Sequence, residues 1–387
     1  MKLLQLIQNK RISLIVGLSL LSGVTACQPP SDKAIPSGTT SASVKAEKPP
    51  STPSLAEAKT PKALTTALVA LSEDTLTEQL ICTKLHDSIN AIDNKSKIEN
   101  IHSIQRQIQA CLPTASNAEI LQWLADYQAM YQRFLQFDNP TDSAAFFTVM
   151  SHVEQGKKIT VAKLKQVNPR VRYLIGLVMS RSDVSVRYLG EGDFEFHHDL
   201  TAMADIFSPY LPDDQSAFIQ RMAKDNQAIF WFDAAIAFSF EALVERAVFW
   251  EDFIKRYPKS RFYTDAKALL NTYRYLLFFG SENTQWTDDD IRKFDNPVDE
   301  QLMRQLAKRN DSELAQDVQK FFTFMQQSNT ERQQRYPVPD KDENGHKINQ
   351  WEVAHYQLDK ALEIPSPWKE DNKDCSTGIL CIDSKIE

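Results

Sequence analysis

Glycine is scarce in this chain, with 10 residues in 387. Barrels of tight hairpins and glycine-rich phosphate cradles need more than that, because both rely on left-handed backbone that glycine adopts at least cost. An excess of positive charge is also missing. Lys and Arg number 44 against 51 Asp and Glu, for a formal charge of −7. That excludes nucleic-acid binding by bulk charge, and no nucleic-acid partner is expected. The N-terminal apolar run, 12–21, spans about ten residues, short of the roughly 20 that cross a bilayer. HExxH, GxSxG, a Walker loop and GxGxxG do not occur. The one SxxK, from Ser366 to Lys369, lies on a proline-broken tail. No residue is therefore assigned as catalytic, and no cofactor is expected beyond the Ca²⁺ option below. What remains is 42% hydrophobic, 10% aromatic and 25% charged residues. Those fractions describe a globular chain with a sizeable core, and low glycine points that core toward helix.

The N-terminus carries an address. Lys2, Lys10 and Arg11 precede the apolar run, and Val24-Thr25-Ala26-Cys27 follows it. The last four residues resemble the bacterial lipobox. That resemblance implies a signal peptide over 1–26, cleavage after Ala26, and fatty-acyl (palmitate-type) modification of Cys27. Several acyl chains anchor stably where one does not. Gln28, rather than Asp, follows Cys27, a pattern that implies an outer-membrane lipoprotein, expected to face the periplasm. Losing Lys2, Lys10 and Arg11 takes the formal charge from −7 to −10. Residues 28–62 hold 7 of the 18 prolines and no aromatic residue. This stretch reads as a lipidated tether, 27–62, whose coil would span roughly 30–35 Å. The folded domain is expected over 63–368, followed by an irregular tail over 369–387.

Four cysteines remain, an even number suited to an oxidising compartment. Spacing pairs Cys82 with Cys111 and Cys375 with Cys381. Helices expected over 77–92 and 98–110, around the polar turn 93–96, bring Cys82 and Cys111 within about one helical turn of each other. A bridge there would stabilise by about 3 kcal/mol. The second pair closes a small loop, a tail clip rather than a CxxC redox centre.

The fold class is mainly α. In 116–137, Ile120, Leu124, Tyr127, Tyr131 and Phe134 line one helix face, and Ser116 with Glu119 forms a capping box. The stretch 316–326 repeats the pattern, and 213–279 holds three helices broken near Ser239 and at Pro258. Asp288-Asp289-Asp290 suits a helix N-terminus. A small β insert near 170–197 is allowed. Val184–Leu189 and Phe194–His197 read as strands, while 171–175 suits either a strand or a buried helix. Phe253, Tyr257, Pro258, Ser260 and Ala266 resemble the helix-turn-helix junction of TPR-type lipoproteins, such as that of the β-barrel assembly machine. The resemblance covers about 40 residues and implies a TPR-like helical-repeat array.

Three segments are candidate sites. Asp340, Asp342 and Asn344, with Gly345, resemble the first half of an EF-hand loop. A Ca²⁺ site would add Glu352, one place late, and the alternative is an Asn-Gly turn. If 191–197 is extended, Glu191, Asp193, Glu195 and His197 share one face and Phe194 and Phe196 the other. That face would serve a divalent metal, acid–base chemistry or simple solvation. Finally, 157–187 holds eight cations against Asp183. Arg170, Arg172 and Arg187 are the candidate contacts for an anionic partner, the alternative being pairing with acids of the same chain. The expected function is a membrane-anchored periplasmic adaptor or scaffold that binds another envelope protein or a cell-wall polymer such as peptidoglycan. The alternative is an envelope enzyme or a divalent-metal-dependent binding protein working through 191–199 or 340–352.

Overall fold

A computed structural model describes residues 80–138, 142–341, 345–349, 352–368 and 373–383. The signal, Cys27, the tether, Asp342 and Asn344 lie outside those residues. Among the described residues the chain is helical, with three two-stranded antiparallel sheets.

Local chemistry sets the helix boundaries. Helix α1 (Leu85–Asn90) and α2 (Ile98–Cys111) flank a turn in which Asp93 Oδ1 accepts the N–H groups of Lys95 and Ser96. The Cys82–Cys111 bridge, with Cα atoms 5.6 Å apart, pins this hairpin as its register predicts. Helix α3 (Asn117–Phe134) opens on the expected capping box, and both of its halves are formed. Then come α4 (Ser143–Glu154), a single turn α5 (Val161–Leu164) and α6 (Pro169–Met179). The ambiguous 171–175 is thus helical. Asn168 caps it, and Pro169 sits at the first helical position, where its fixed φ is favourable.

The β insert is a hairpin, β1 (Val184–Gly190) with β2 (Asp193–His198), in the register Arg187↔Glu195 and Tyr188↔Phe194. Helices α7 (Leu200–Phe207) and α8 (Asp213–Asp225) follow. A second small hairpin, β3 (Trp231–Phe232) and β4 (Ala235–Ile236), has no counterpart in the sequence reading.

The C-terminal half is a succession of packed helices. Helix α9 (Phe240–Arg256) and α10 (Tyr263–Phe279) meet at the Pro258 turn. Phe253 and Ala266 are buried there, and alanine lets the two helices approach closely. Helices α11 (Pro297–Leu306), α12 (Glu313–Gln326), α13 (Asn329–Arg335) and α14 (Val353–Leu362) complete it. The acidic triplet does not start a helix. Asp288 Oδ1 instead accepts the N–H groups of Arg292 and Lys293 in a turn, and α11 begins nine residues later under an Asn296 cap.

The tail returns to the core. Strands β5 (Lys373–Asp374) and β6 (Ile382–Asp383) pair beside the Cys375–Cys381 bridge, and Ile379 between them is fully buried.

Candidate functional face around the first hairpin

The β1–β2 turn needs unusual backbone. Gly190, Glu191 and Gly192 all have positive φ. A Cβ at Gly190 would stand 3.0 Å from that of Asp233, so glycine alone lets the second hairpin come this near. Asp233 donates its N–H to Leu189 O at 3.1 Å, joining the two hairpins at their tips. Across this junction runs an aromatic strip drawn from three segments. Phe147 of α4 lies 5.8 Å from Phe194, Phe194 lies 4.8 Å from Tyr188, and Tyr188 lies 5.5 Å from Phe232. The two ends are open to solvent, with Phe147 44% and Phe232 39% exposed.

Strand alternation in β2 follows the expected pattern. Phe194, Phe196 and His198 face the core, and Asp193, Glu195 and His197 face the other way. Glu191 is exposed in the turn. The outward face is not simply solvated. Glu195 lies 3.8 Å from Arg187 and 3.9 Å from His197 Nδ1. Burial raises the Glu195 carboxyl above its ordinary range, Arg187 opposes this, and Asp374 of the tail adds to it. Burial, assisted by Arg187, lowers His197 to about 3.

On the inner face, His198 stacks on Tyr131 with ring centroids 3.5 Å apart. Tyr131 donates its hydroxyl to Asp183, and Gln105 donates to Tyr127 at 2.7 Å. Burial is the first cause that lowers His198 to about 3, with His197 adding to it, so the ring is neutral. Neither His198 nitrogen has a hydrogen-bond partner, and Asp183 is 3.7 Å away. A base sealed in the core at 3% exposure cannot meet a substrate.

The tail closes against this region. Gln128 of α3 reads the disulfide loop through its backbone, accepting from Ile379 N at 2.8 Å and Leu380 N at 2.9 Å and donating to Leu380 O at 3.0 Å. Asn226 donates to Gly378 O at 2.7 Å. A Cβ on Gly378 would fall 2.6 Å from the Gln128 amide, so a larger residue there would push Gln128 off its hydrogen bonds.

Two of the three candidate arginines are internal, which corrects the contact-surface expectation for them. Arg170 donates to Ser96 O at 3.2 Å and to Phe134 O, and stacks over the Phe134 ring. Arg187 donates to Asn226 O and Gln227 O at 2.6 and 2.7 Å. Arg172 is half-buried. Around 340–352, Lys341 bridges Lys347 as in a hairpin, and Glu352 accepts both the backbone and side-chain N–H groups of Asn349. Glu352 therefore closes the turn that precedes α14, and Asp340 is exposed. No group of three or more His, Cys, Asp or Glu arranged for a metal occurs among the described residues.

Sequence reasoning missed the aromatic strip. Tyr188 and Phe194 fall in segments read as strands, but their meeting with Phe147 and Phe232 depends on how the hairpins cross. No described helix is long and apolar enough to span a membrane. Comparison of the chain with family models, with curated proteins and with solved structures finds no match.

Proposed function

We propose that this chain is a lipid-anchored envelope adaptor of TPR-like character, held at the outer membrane through Cys27, that docks another envelope protein on the aromatic strip of its first hairpin. The strip carries the reading: rings from three chain segments, open at Phe147 and Phe232, on a face held by glycine-dependent turns. Rigid, half-exposed aromatics gain contact area at small cost in conformational entropy, and such residues anchor protein interfaces. The lipobox-like Val24-Thr25-Ala26-Cys27 supports the anchor, and the Phe253–Ala266 junction supports the helical-array character. Near the strip, Glu195 pairs with Arg187 and His198 is sealed in the core, which favours a binding face over acid–base chemistry there.

The test is crosslinking and affinity capture from envelope extracts, with Phe147→Ser/Phe232→Ser beside the parent. A specific protein captured by the parent and lost from the double variant is the expected result. An unchanged capture profile would remove the strip from the proposal. Turnover of a cell-wall or lipid substrate, lost in Glu195→Gln, would replace the adaptor with an enzyme. For the anchor, Cys27→Ala is expected to accumulate as unprocessed, unacylated precursor.

A further inference from the structure

The basic stretch 157–187 divides in two. Arg170 and Arg187 belong to the interior, whereas Lys157, Lys158 and Lys165 are exposed and Lys163 half-exposed. These four lysines fall within nine residues, KKITVAKLK, that contain no acid, in a chain whose overall charge is −7. We propose that residues 157–165 form a lipid-facing loop that seats the domain on an anionic phospholipid leaflet.

The loop is built rather than loose. Helix α4 ends at Glu154, Gly156 with φ of 63° turns the chain, and Lys157 N returns to His152 O at 2.8 Å. Thr160 caps the single turn α5 through the N–H of Lys163. Ile159 and Leu164 pack inward against the core. Val161 points the other way and is 68% exposed, the most exposed large hydrophobic among the described residues. A valine held outward by an ordered turn, with ammonium groups on both sides, offers two contacts at once. The valine can enter the apolar edge of the headgroup layer, and the lysine stems can lie along that layer with their charges on phosphates.

Charge decides the occupant's sign and the domain's orientation. Each lysine near an anionic leaflet contributes favourably within a Debye length, while the acidic remainder of the chain is repelled. The loop is thereby the side that turns to the membrane. An acidic protein surface would satisfy the lysines but would give Val161 no apolar phase, so the leaflet fits better. The choice of a membrane rests on the lipid-anchor reading above, since acylated Cys27 and the expected tether would keep the loop within reach of lipid.

The experiment separates the two readings by removing the acyl chains. The mature chain, residues 27–387, carrying Cys27→Ser is sedimented with vesicles of phosphatidylglycerol mixed with phosphatidylethanolamine, and with phosphatidylcholine vesicles. Binding to the anionic vesicles alone is expected, weakening as salt rises. Reversal of Lys157, Lys158, Lys163 and Lys165 to Glu should lower the affinity about tenfold or more. Val161→Ser, a surface change that leaves the lysines in place, should lower it severalfold. Equal binding by the reversed variant, or no vesicle binding by the parent, would overturn the proposal. So would retention of the parent on an immobilised acidic polypeptide without any vesicle binding, which would assign the loop to a protein. A failed anchor would appear instead as a Cys27→Ala chain that is processed and fractionates normally.

Discussion

The helical half from Phe240 onward and the hairpin region 183–198 both bury ionisable groups, but they surround them differently. In the helical half each buried carboxylate has donors. Glu251, 1% exposed, accepts from Ser312 Oγ and Leu314 N and pairs with Lys255 at 3.5 Å, so one carboxylate fastens α9 to the start of α12. Asp317 takes Arg274 at 2.5 Å. The buried Arg332 caps carbonyls of Phe324, Asp290 and Ile291. The unmatched side-chain groups there are mostly single N–H groups such as Trp250 Nε1 and Arg246 Nη1. In the hairpin region, by contrast, His198 has both nitrogens unmatched and His197 has Nε2 unmatched. Charge is used as a fastener in one region, whereas the other buries two histidines in uncharged form, so pH should act on the second first.

Acid is the sharpest way to break that contrast. His197 and His198 are held near 3 in the folded chain, against about 6.5 when unfolded. Below pH 6.5 the unfolded chain therefore binds more protons, and stability falls as pH drops from 6.5 toward 3. From pH 7 to 4.5 the loss is about 2.5 kcal/mol for each histidine. Glu195, whose carboxyl is raised, works in the opposite sense over the carboxylate range. Urea unfolding across this range should give a slope roughly halved in His198→Phe. An unaltered slope would mean that His198 does not set the acid response.

Next in size is Glu251→Ala. It strands Ser312 and Leu314 in a buried place, and about 3 kcal/mol should be lost at neutral pH. Glu251→Gln should recover part of that by keeping an acceptor, and equal losses would show that charge matters more than hydrogen bonding.

The smallest effect is expected where the tail is tied to α3, beside the hairpin. Gln128→Ala removes three hydrogen bonds to the tail loop, for about 2 kcal/mol. Amide exchange at Ile379 and Leu380 should speed up while that of β1 and β2 stays unchanged. Faster exchange in the hairpin as well would show that the tail supports it.

Local signals were the legible ones. The Ser116–Glu119 box, the break at Pro258 and the two strands of the first hairpin are each written within a few residues, and the structure realises them. The identity of 169–179 was also written locally, in Asn168-Pro169. The second hairpin was not, because its turn uses Asp233 and Ala234 at positive φ, where glycine or asparagine would have announced it. Nor could spacing reveal that Arg170 and Arg187 are internal, since their carbonyl partners lie 36 to 74 residues away. The candidate face is legible as residue types and illegible as a surface for the same reason: it forms where separated segments cross.

The loop Cys375–Cys381 has a consequence in time. Its anchors, Gln128 and Asn226, precede it by about 250 and 150 residues. A ribosome completes both long before the residues they hold exist. Until then Gln128 and Asn226 stand with their amides waiting, and no partial chain can supply the missing backbone. Joining ends so far apart is entropically slow, and oxidation of two cysteines then narrows the choice of shapes. The fold thus carries a late stitch: helices made early are fastened by a loop that must be synthesised before the fastening can form.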